Sequence, residues 1–204
     1  MSSLLIVGAG GHGRVVADVA SHSYGRIAFL DDAFEDLQDI DWPVLGAPVD
    51  LADVAGDFSD IVIGIGNNAK RQSTADVVQQ SGRRLAVIVD RSAAVSARAQ
   101  LGAGTVVMPQ AAVNAAAELG TSCIVNTGAT VDHDCRLGDC VHVSPGANLA
   151  GGVSVGARAW IGVGAAVRDG VTIGADAIVG AGAAVVADVA AGCVVYGVPA
   201  RRAE

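Results

Sequence analysis

The chain has 204 residues, enough for one large or two small domains with a sizeable core, and 27 of them are glycine. With aromatic residues at only 3%, a core of large stacked rings is excluded; the core has to be thin and built from small and β-branched side chains, which favours a repeat architecture. A formal net charge of -8 and a pI near 4.8 leave no basic stripe to neutralise phosphates, which argues against a nucleic-acid or anionic-membrane partner.

The N-terminal stretch MSSLLIVGAGG has no basic leader, and its apolar run is too short to span a bilayer, so the expected location is cytoplasmic. Residues 1 to about 90 alternate short apolar runs with helix-like segments. LLIV (Leu4 to Val7), IAFL (Ile27 to Leu30), IVIGI (Ile61 to Ile65) and LAVIV (Leu85 to Val89) read as four buried parallel strands. The stretches around Arg14–Val19 and Lys70–Val78 read as helices, which predicts a small Rossmann-like α/β domain over residues 1–90.

GAGGHG (Gly8 to Gly13) satisfies G-x-G-x-x-G after a strand and before a helix, and FLDD places Asp31 and Asp32 near the distance expected for a ribose-binding acid. Taken alone this says dinucleotide, and with it a nicotinamide oxidoreductase. Four strands, however, leave little for a second mononucleotide-binding half. One nucleotide with its sugar fits better, the N–H groups of Gly10, Gly11 and Gly13 and the helix N-terminus receiving the pyrophosphate. Gly66-Asn67-Asn68 ends the third strand, where ligands bind in such sheets; helix capping is the plainer use of the two asparagines.

From Val95 to Val185 every sixth residue is Val, Leu or Ile, sixteen positions without a slip, and two residues before each stands a small side chain such as Ala99, Ala129 or Ala159. A period of six fits neither a helix at 3.6 nor a strand at two. It fits a hexapeptide β-helix over residues 91–204, with one strand and one corner per hexad, three hexads per coil and about five coils. Glycines directly after the inward residue, as in Leu101-Gly102 and Leu137-Gly138, are expected at corners that strain a residue with a Cβ. Of the four cysteines, Cys123 and Cys135 fall on the small-residue position; no C-x-x-C pair or zinc spacing occurs, so all four are expected to be buried thiols and no metal is expected.

The repeat carries chemistry at two places. Asp132-His133-Asp134 follows the inward Val131, putting an imidazole between two carboxylates at an outward corner. A neutral imidazole has a pKa suited to a general base, and a carboxylate on its other nitrogen fixes the tautomer; either Asp132 or Asp134 fits that role. His142 lies half a coil further on, which on one prism puts it on a different side from His133. A surface histidine just before an inward position is its plain reading.

GAGGHG, FLDD, IGIGNNAKR (Ile63 to Arg71), VNTGATVDHDC (Val125 to Cys135), VHVSPGANLAGG (Val141 to Gly152) and YGVPARR (Tyr196 to Arg202) together resemble the bacterial sugar O- and N-acyltransferases of the NeuD/PglD type, over essentially the whole chain. The resemblance implies an α/β domain that binds a sugar nucleotide, followed by a left-handed parallel β-helix that uses acetyl-CoA without metal and packs as a homotrimer with active sites between adjacent prisms. It implies His133 as base with Asp134 as partner, where the family commonly has Glu. It further implies His12, Asp31 and Asp32 facing the sugar nucleotide, Asn126 near the reacting centre, His142 and the Gly151 N–H at the thioester, and Arg201 near the CoA phosphates. The expected reaction is acetyl transfer to the 4-amino group of a nucleotide-linked 4-amino-4,6-dideoxysugar, with UDP as the expected nucleotide. O-acetylation of a sialic-acid-like sugar and a non-catalytic trimeric β-helix scaffold are the alternatives.

Overall fold

The computed structural model describes residues 2–37 and 41–203. The chain divides into two compact units, Met1–Ile88 and Val89–Glu204.

In the first unit, β1 (Ser3–Val7) lies between β2 (Arg26–Leu30) and β3 (Asp60–Ile63) in a parallel sheet of order β2-β1-β3. Leu4, Leu5, Ile6 and Val7 are all buried, so both faces of the sheet are covered, and that explains why its strands are continuous apolar runs rather than alternating ones. Helix α1 (Gly11–Ala20) follows β1, α2 (Leu51–Val54) is one short turn, and α3 (Asn68–Gln80) follows β3. The expected fourth strand divides instead. Leu85 makes only a single parallel bridge to Ile61, and Ile88–Val89 is the first strand of the solenoid. An apolar run alone could not show where one architecture hands over to the other.

The second unit is a parallel β-solenoid of about six turns, one more than expected, because pairing starts at Ile88–Val89 and continues past Val185 through a bridge at Val189 to Val194–Tyr196. Two-residue strands stack coil upon coil, as Ile124–Val125 pairs with His142–Val143, and form three sheets of eight, six and five strands. The inward residue and the small residue two before it make one continuous core, with Val125, Val131 and Leu137 stacked beside Cys123, Ala129 and Cys135. Each buried Val or Leu contributes about 2 kcal/mol of transfer free energy. A larger residue at the small position would overfill a prism that is already closed on three sides. Cys123, Cys135 and Cys140 are buried as expected, whereas Cys193 is partly exposed near the chain end.

The corners follow one rule. The third residue after the inward one is left-handed at every sixth position from Gly104 to Gly182, with φ between 53° and 76°, whether it is Gly, Ala, Asp or Arg. The glycines directly after the inward residue do not have this strain. They are required by close approach between coils: a Cβ on Gly138 would lie 2.7 Å from the Ala157 nitrogen, and one on Gly120 2.7 Å from the Asp139 nitrogen. Gly138→Ala should therefore destabilise the solenoid by about 1–3 kcal/mol through forced separation of coils. Gly164→Asn, at φ +66° with open space around it, should cost less than about 1 kcal/mol. Urea unfolding of the two variants checks the contrast, and equal losses would remove the close-approach explanation.

Candidate functional site

Chemistry-bearing residues gather in both units. On the solenoid, the corner after Thr130–Val131 presents Asp132, His133 and Asp134. The backbone of His133 is held from two sides: its N–H donates to Asp132 Oδ1 at 2.7 Å, and its carbonyl accepts from the Gly152 N–H of the next coil at 2.8 Å. Its ring Nδ1 lies 2.8 Å from Asp134 Oδ2, with the imidazole side chain 62% exposed. Of the two carboxylates it is Asp134 that meets the ring, while Asp132 accepts from the backbone. A carboxylate accepting at Nδ1 places the neutral ring's proton there and leaves Nε2 as the basic atom. The hydrogen bond to Asp134, followed by the charge of Asp132, holds the imidazole pKa above its ordinary value. The Asn114 hydrogen bond and then the His133 N–H hold Asp132 below the usual carboxylate range.

Gly151 sits one coil beyond His133, and a Cβ there would lie 2.5 Å from both Cε1 and Nε2 of the ring. The missing side chain is what lets the ring lie against the wall. Around Gly152, whose N–H meets the His133 carbonyl, a Cβ would meet nothing within 4 Å, so the wall beside His133 is bare at that corner.

His142 is 6% exposed on the outer face of its strand, so it is no surface histidine. Its ring packs on Trp160 at 4.7 Å between centroids, and its Nε2 lies 3.1 Å from the Asn126 amide nitrogen. The orientation of that amide is fixed, because Asn126 Oδ1 accepts from the Thr127 N–H at 2.8 Å. The structure thus pairs Asn126 with His142, and His133 with Asp134 and Gly151, at the two edges of the face that carries Thr130. Arg201 is exposed on a short antiparallel pair with Val194–Tyr196 and, with Arg202 and Asp188, borders a cavity of about 350 Å³. A shallow groove of about 640 Å³ along the third sheet, beside Glu118, Arg136 and Ser154, holds none of these residues.

In the first unit, Gly10, Gly11, His12, Asp31, Asp32 and Gly66 line one cavity of about 410 Å³. Its glycines are of two kinds. A Cβ on Gly13 would collide with the Gly8 carbonyl, and one on Gly64 would lie 2.6 Å from the same oxygen; these are packing glycines where β1, α1 and β3 converge. Gly10, Gly11 and Gly66 have nothing within 4 Å of a Cβ and no left-handed φ. The fold does not demand them, and they leave backbone accessible to a ligand. No side chain caps α1, and Gly11 and His12 of its first turn line this cavity.

Asp31 braces the turn, accepting from the Ala9 N–H at 2.6 Å and the Ala33 N–H at 2.9 Å. Asp32 is the more exposed carboxylate, 3.5 Å from Lys70 Nζ. Asn67 caps α3 by accepting from the Lys70 N–H at 2.9 Å, and Asn68 accepts from Arg71 at 2.7 Å; neither lines the cavity. Sequence reasoning passed over Arg71, which is 1% exposed and donates at 2.9 Å to the carbonyls of both Ile65 and Gly66. It also passed over Lys70, which supplies a cation at the cavity wall. The only signal for either was a basic pair in the first turn of a helix, where bases are disfavoured by the dipole.

A family model described as the PglD N-terminal domain matches residues 3–78. A UDP-N-acetylbacillosamine N-acetyltransferase of Bacillus subtilis (strain 168) is 38% identical over 112 residues; the match spans 53% of this chain and about half, 52%, of that protein. The acetyltransferase domain of PglB from Neisseria gonorrhoeae FA1090, in complex with acetyl coenzyme A, superposes with a TM-score of 0.95 at 41% identity, covering 98% of each chain. A mutant of perosamine N-acetyltransferase from Caulobacter crescentus, in complex with CoA and GDP-perosamine, does so at 0.95 and 40%, covering 100% of this chain and 98% of that one.

Burial, and then the charge of Arg71, lowers the His12 pKa to about 4, so this ring is neutral near pH 7 and offers a hydrogen bond rather than a cation. Above pH 6.5 the folded and unfolded chains both carry a neutral His12, and no stability depends on it. As pH falls from 6.5 towards 4 the unfolded chain takes up a proton that the folded one refuses, and stability is lost progressively, by an amount on the order of 2–3 kcal/mol. Melting curves between pH 7.5 and 4.5 should fall more steeply for the parent than for His12→Gln. Parallel curves would show that His12 does not carry this dependence.

Proposed function

The chain belongs to the PglD-type family of sugar acyltransferases, and on that basis we propose that it transfers acetyl from acetyl-CoA to the 4-amino group of a nucleotide-linked 4-amino-4,6-dideoxysugar. The observation that carries this is the His133–Asp134 pair, whose basic Nε2 faces a glycine-bare wall. The nucleotide we propose is UDP, as in the Bacillus subtilis relative, with GDP as its competitor from the Caulobacter one.

In this mechanism His133 Nε2 receives the proton shed by the sugar amine as its nitrogen bonds to the thioester carbonyl, and the proton leaves with CoA as the C–S bond breaks. Asp134 keeps the second ring nitrogen protonated and stabilises the imidazolium. An amine is a competent nucleophile once its proton can leave, so positioning and one base suffice and no covalent enzyme intermediate is needed. The Gly151 N–H and His142, the latter held by Asn126, serve the thioester oxygen, and Arg201 serves the CoA phosphates. The first unit takes the sugar nucleotide: open backbone at Gly10, Gly11 and Gly66, the α1 N-terminus and Lys70 face the pyrophosphate, and His12 and Asp32 face the sugar and ribose. Because His133 and His142 sit at different edges of one prism, we assign the complete site to neighbouring prisms of a homotrimer. Among the described residues no helix is long and apolar enough to cross a membrane, and no group of three or more His, Cys, Asp or Glu is arranged to hold a metal ion.

Thiol release from acetyl-CoA, followed with UDP-, dTDP- and GDP-linked 4-aminosugars and a sialic acid, tests the reading. Turnover is expected on a UDP-linked 4-aminosugar; release with the sialic acid alone would replace N-acetylation by O-acetylation, and silence throughout would return the chain to a scaffold. His133→Ala should lower kcat by about 10²-fold or more, with binding of both substrates retained by calorimetry. Since the base must be neutral and its pKa is raised, kcat/KM should fall on the acid side with a midpoint above about 6.5. Asp134→Asn should move that midpoint to lower pH while reducing the plateau rate. A midpoint unmoved by the substitution would detach Asp134 from the base.

A further inference from the structure

Asp132 has a second partner that the reaction scheme does not use. Asn114 stands one coil below it, in the register that pairs Ala112 with Thr130 and Val113 with Val131, and its Nδ2 donates to Asp132 Oδ1 at 2.7 Å. That same oxygen accepts the His133 N–H at 2.7 Å. We propose that Asn114 is a positioning residue for His133: by holding Asp132 against the backbone of the turn, it keeps the second carboxylate off the imidazole and leaves Asp134 as its sole ring partner. The inference rests on His133 being the base.

The argument is one of competing acceptors. An imidazole flanked in sequence by two carboxylates has two candidate partners, and a second carboxylate on Nε2 would draw the proton away from Nδ1. Asp134 sits at the left-handed corner position, φ 59°, with its own N–H donating to the Ala115 carbonyl at 3.2 Å, so its backbone is fixed by the coil to which Asn114 belongs. Asp132 lies on an exposed turn, where a lone carboxylate would move among rotamers. Two donors converging on one oxygen select a single orientation, and that orientation points along the backbone. Other pairs that bridge one coil to the next, such as Arg158 with Asp176 or Thr130 with Asn148, only tie coil to coil. Asn114–Asp132 differs because its acceptor atom also holds the candidate base. The charges facing the ring are those of Asp132 and Asp134; the corresponding residues of the adjoining coils, Ala115 and Gly151, bring none.

Asn114 is exposed, so Asn114→Ala should fold; Asn114→Leu keeps the side-chain shape and removes the donor without adding a charge. Both variants should lower kcat about tenfold, the scale of one hydrogen bond to a charged group, with KM for acetyl-CoA and the sugar nucleotide within about twofold and melting temperature unchanged. Nitrogen chemical shifts of the His133 ring should show a dominant Nδ1–H tautomer in the parent and a gain of the Nε2–H tautomer in either variant. In a His133→Ala background, Asn114→Ala should cost nothing further. An unaltered tautomer ratio, kcat within twofold of the parent, or a loss that adds in full to that of His133→Ala would each overturn the proposal. If His133→Ala retains turnover, it is the assignment of the base that fails; the tautomer measurement needs no turnover and judges the positioning role on its own.

Discussion

Everything on the solenoid depends on coils lying close enough for the backbone of each hexad to pair with that of the hexad three further on. That stacking sets the six-residue period, limits the prism interior to one branched and one small side chain per hexad, and forbids a Cβ directly after many of the inward residues. It also puts the third corner residue into the left-handed region regardless of its identity. Chemistry can then be placed only where the repeat is permissive: on the outward strand position and on the first three corner residues. His142 takes the first kind of place, and Asn126, Asp132, His133 and Asp134 the second. Because the next coil presents the same position again, each such side chain has a predetermined neighbour above and below. Gly151 above His133, and Asn114 below Asp132, are neighbours in that sense.

In the first unit the corresponding constraint is the crossing of β1, α1 and β3, where Gly8, Gly13 and Gly64 allow backbones to touch. A buried Arg71 spans the end of β3, a costly placement unless its donors are all used on nearby acceptors. Its bonds to the carbonyls of Ile65 and Gly66 fix the shape of the loop whose glycine lines the cavity. The result is a rigid rim with three glycines that packing does not require. Its neutral histidine is kept uncharged first by burial and then by that same arginine.

The solenoid is legible in the sequence because its period is unambiguous: a strict hexad has no helical or plain-strand interpretation. The number of turns is not, since Ile88–Val89 and Val194–Tyr196 fall outside the unbroken run. LAVIV shows the limit most clearly, because an apolar run of that length suits either unit and only pairing partners decide. The site is half legible. His133 between two aspartates stands out, but which carboxylate meets the ring depends on corner dihedrals and on Asn114, a whole coil away along the chain. Gly13 and Gly10 look equivalent in G-x-G-x-x-G, yet one is filled by a carbonyl and the other opens to a cavity; spacing carries no information about what lies opposite.

The aspartate at position 134, where the resemblance noted in the sequence leads one to expect glutamate, fits the same geometry. A side chain one methylene shorter has less reach, yet its Oδ2 lies 2.8 Å from the ring of the preceding residue. At this left-handed corner, φ 59°, the shorter side chain is long enough to reach the ring. Aspartate is also among the side chains best tolerated in the left-handed region. A short acid at a forced left-handed corner therefore meets two requirements at once: it suits the conformation that coil stacking imposes, and it leaves few rotatable bonds to restrict when the histidine is held.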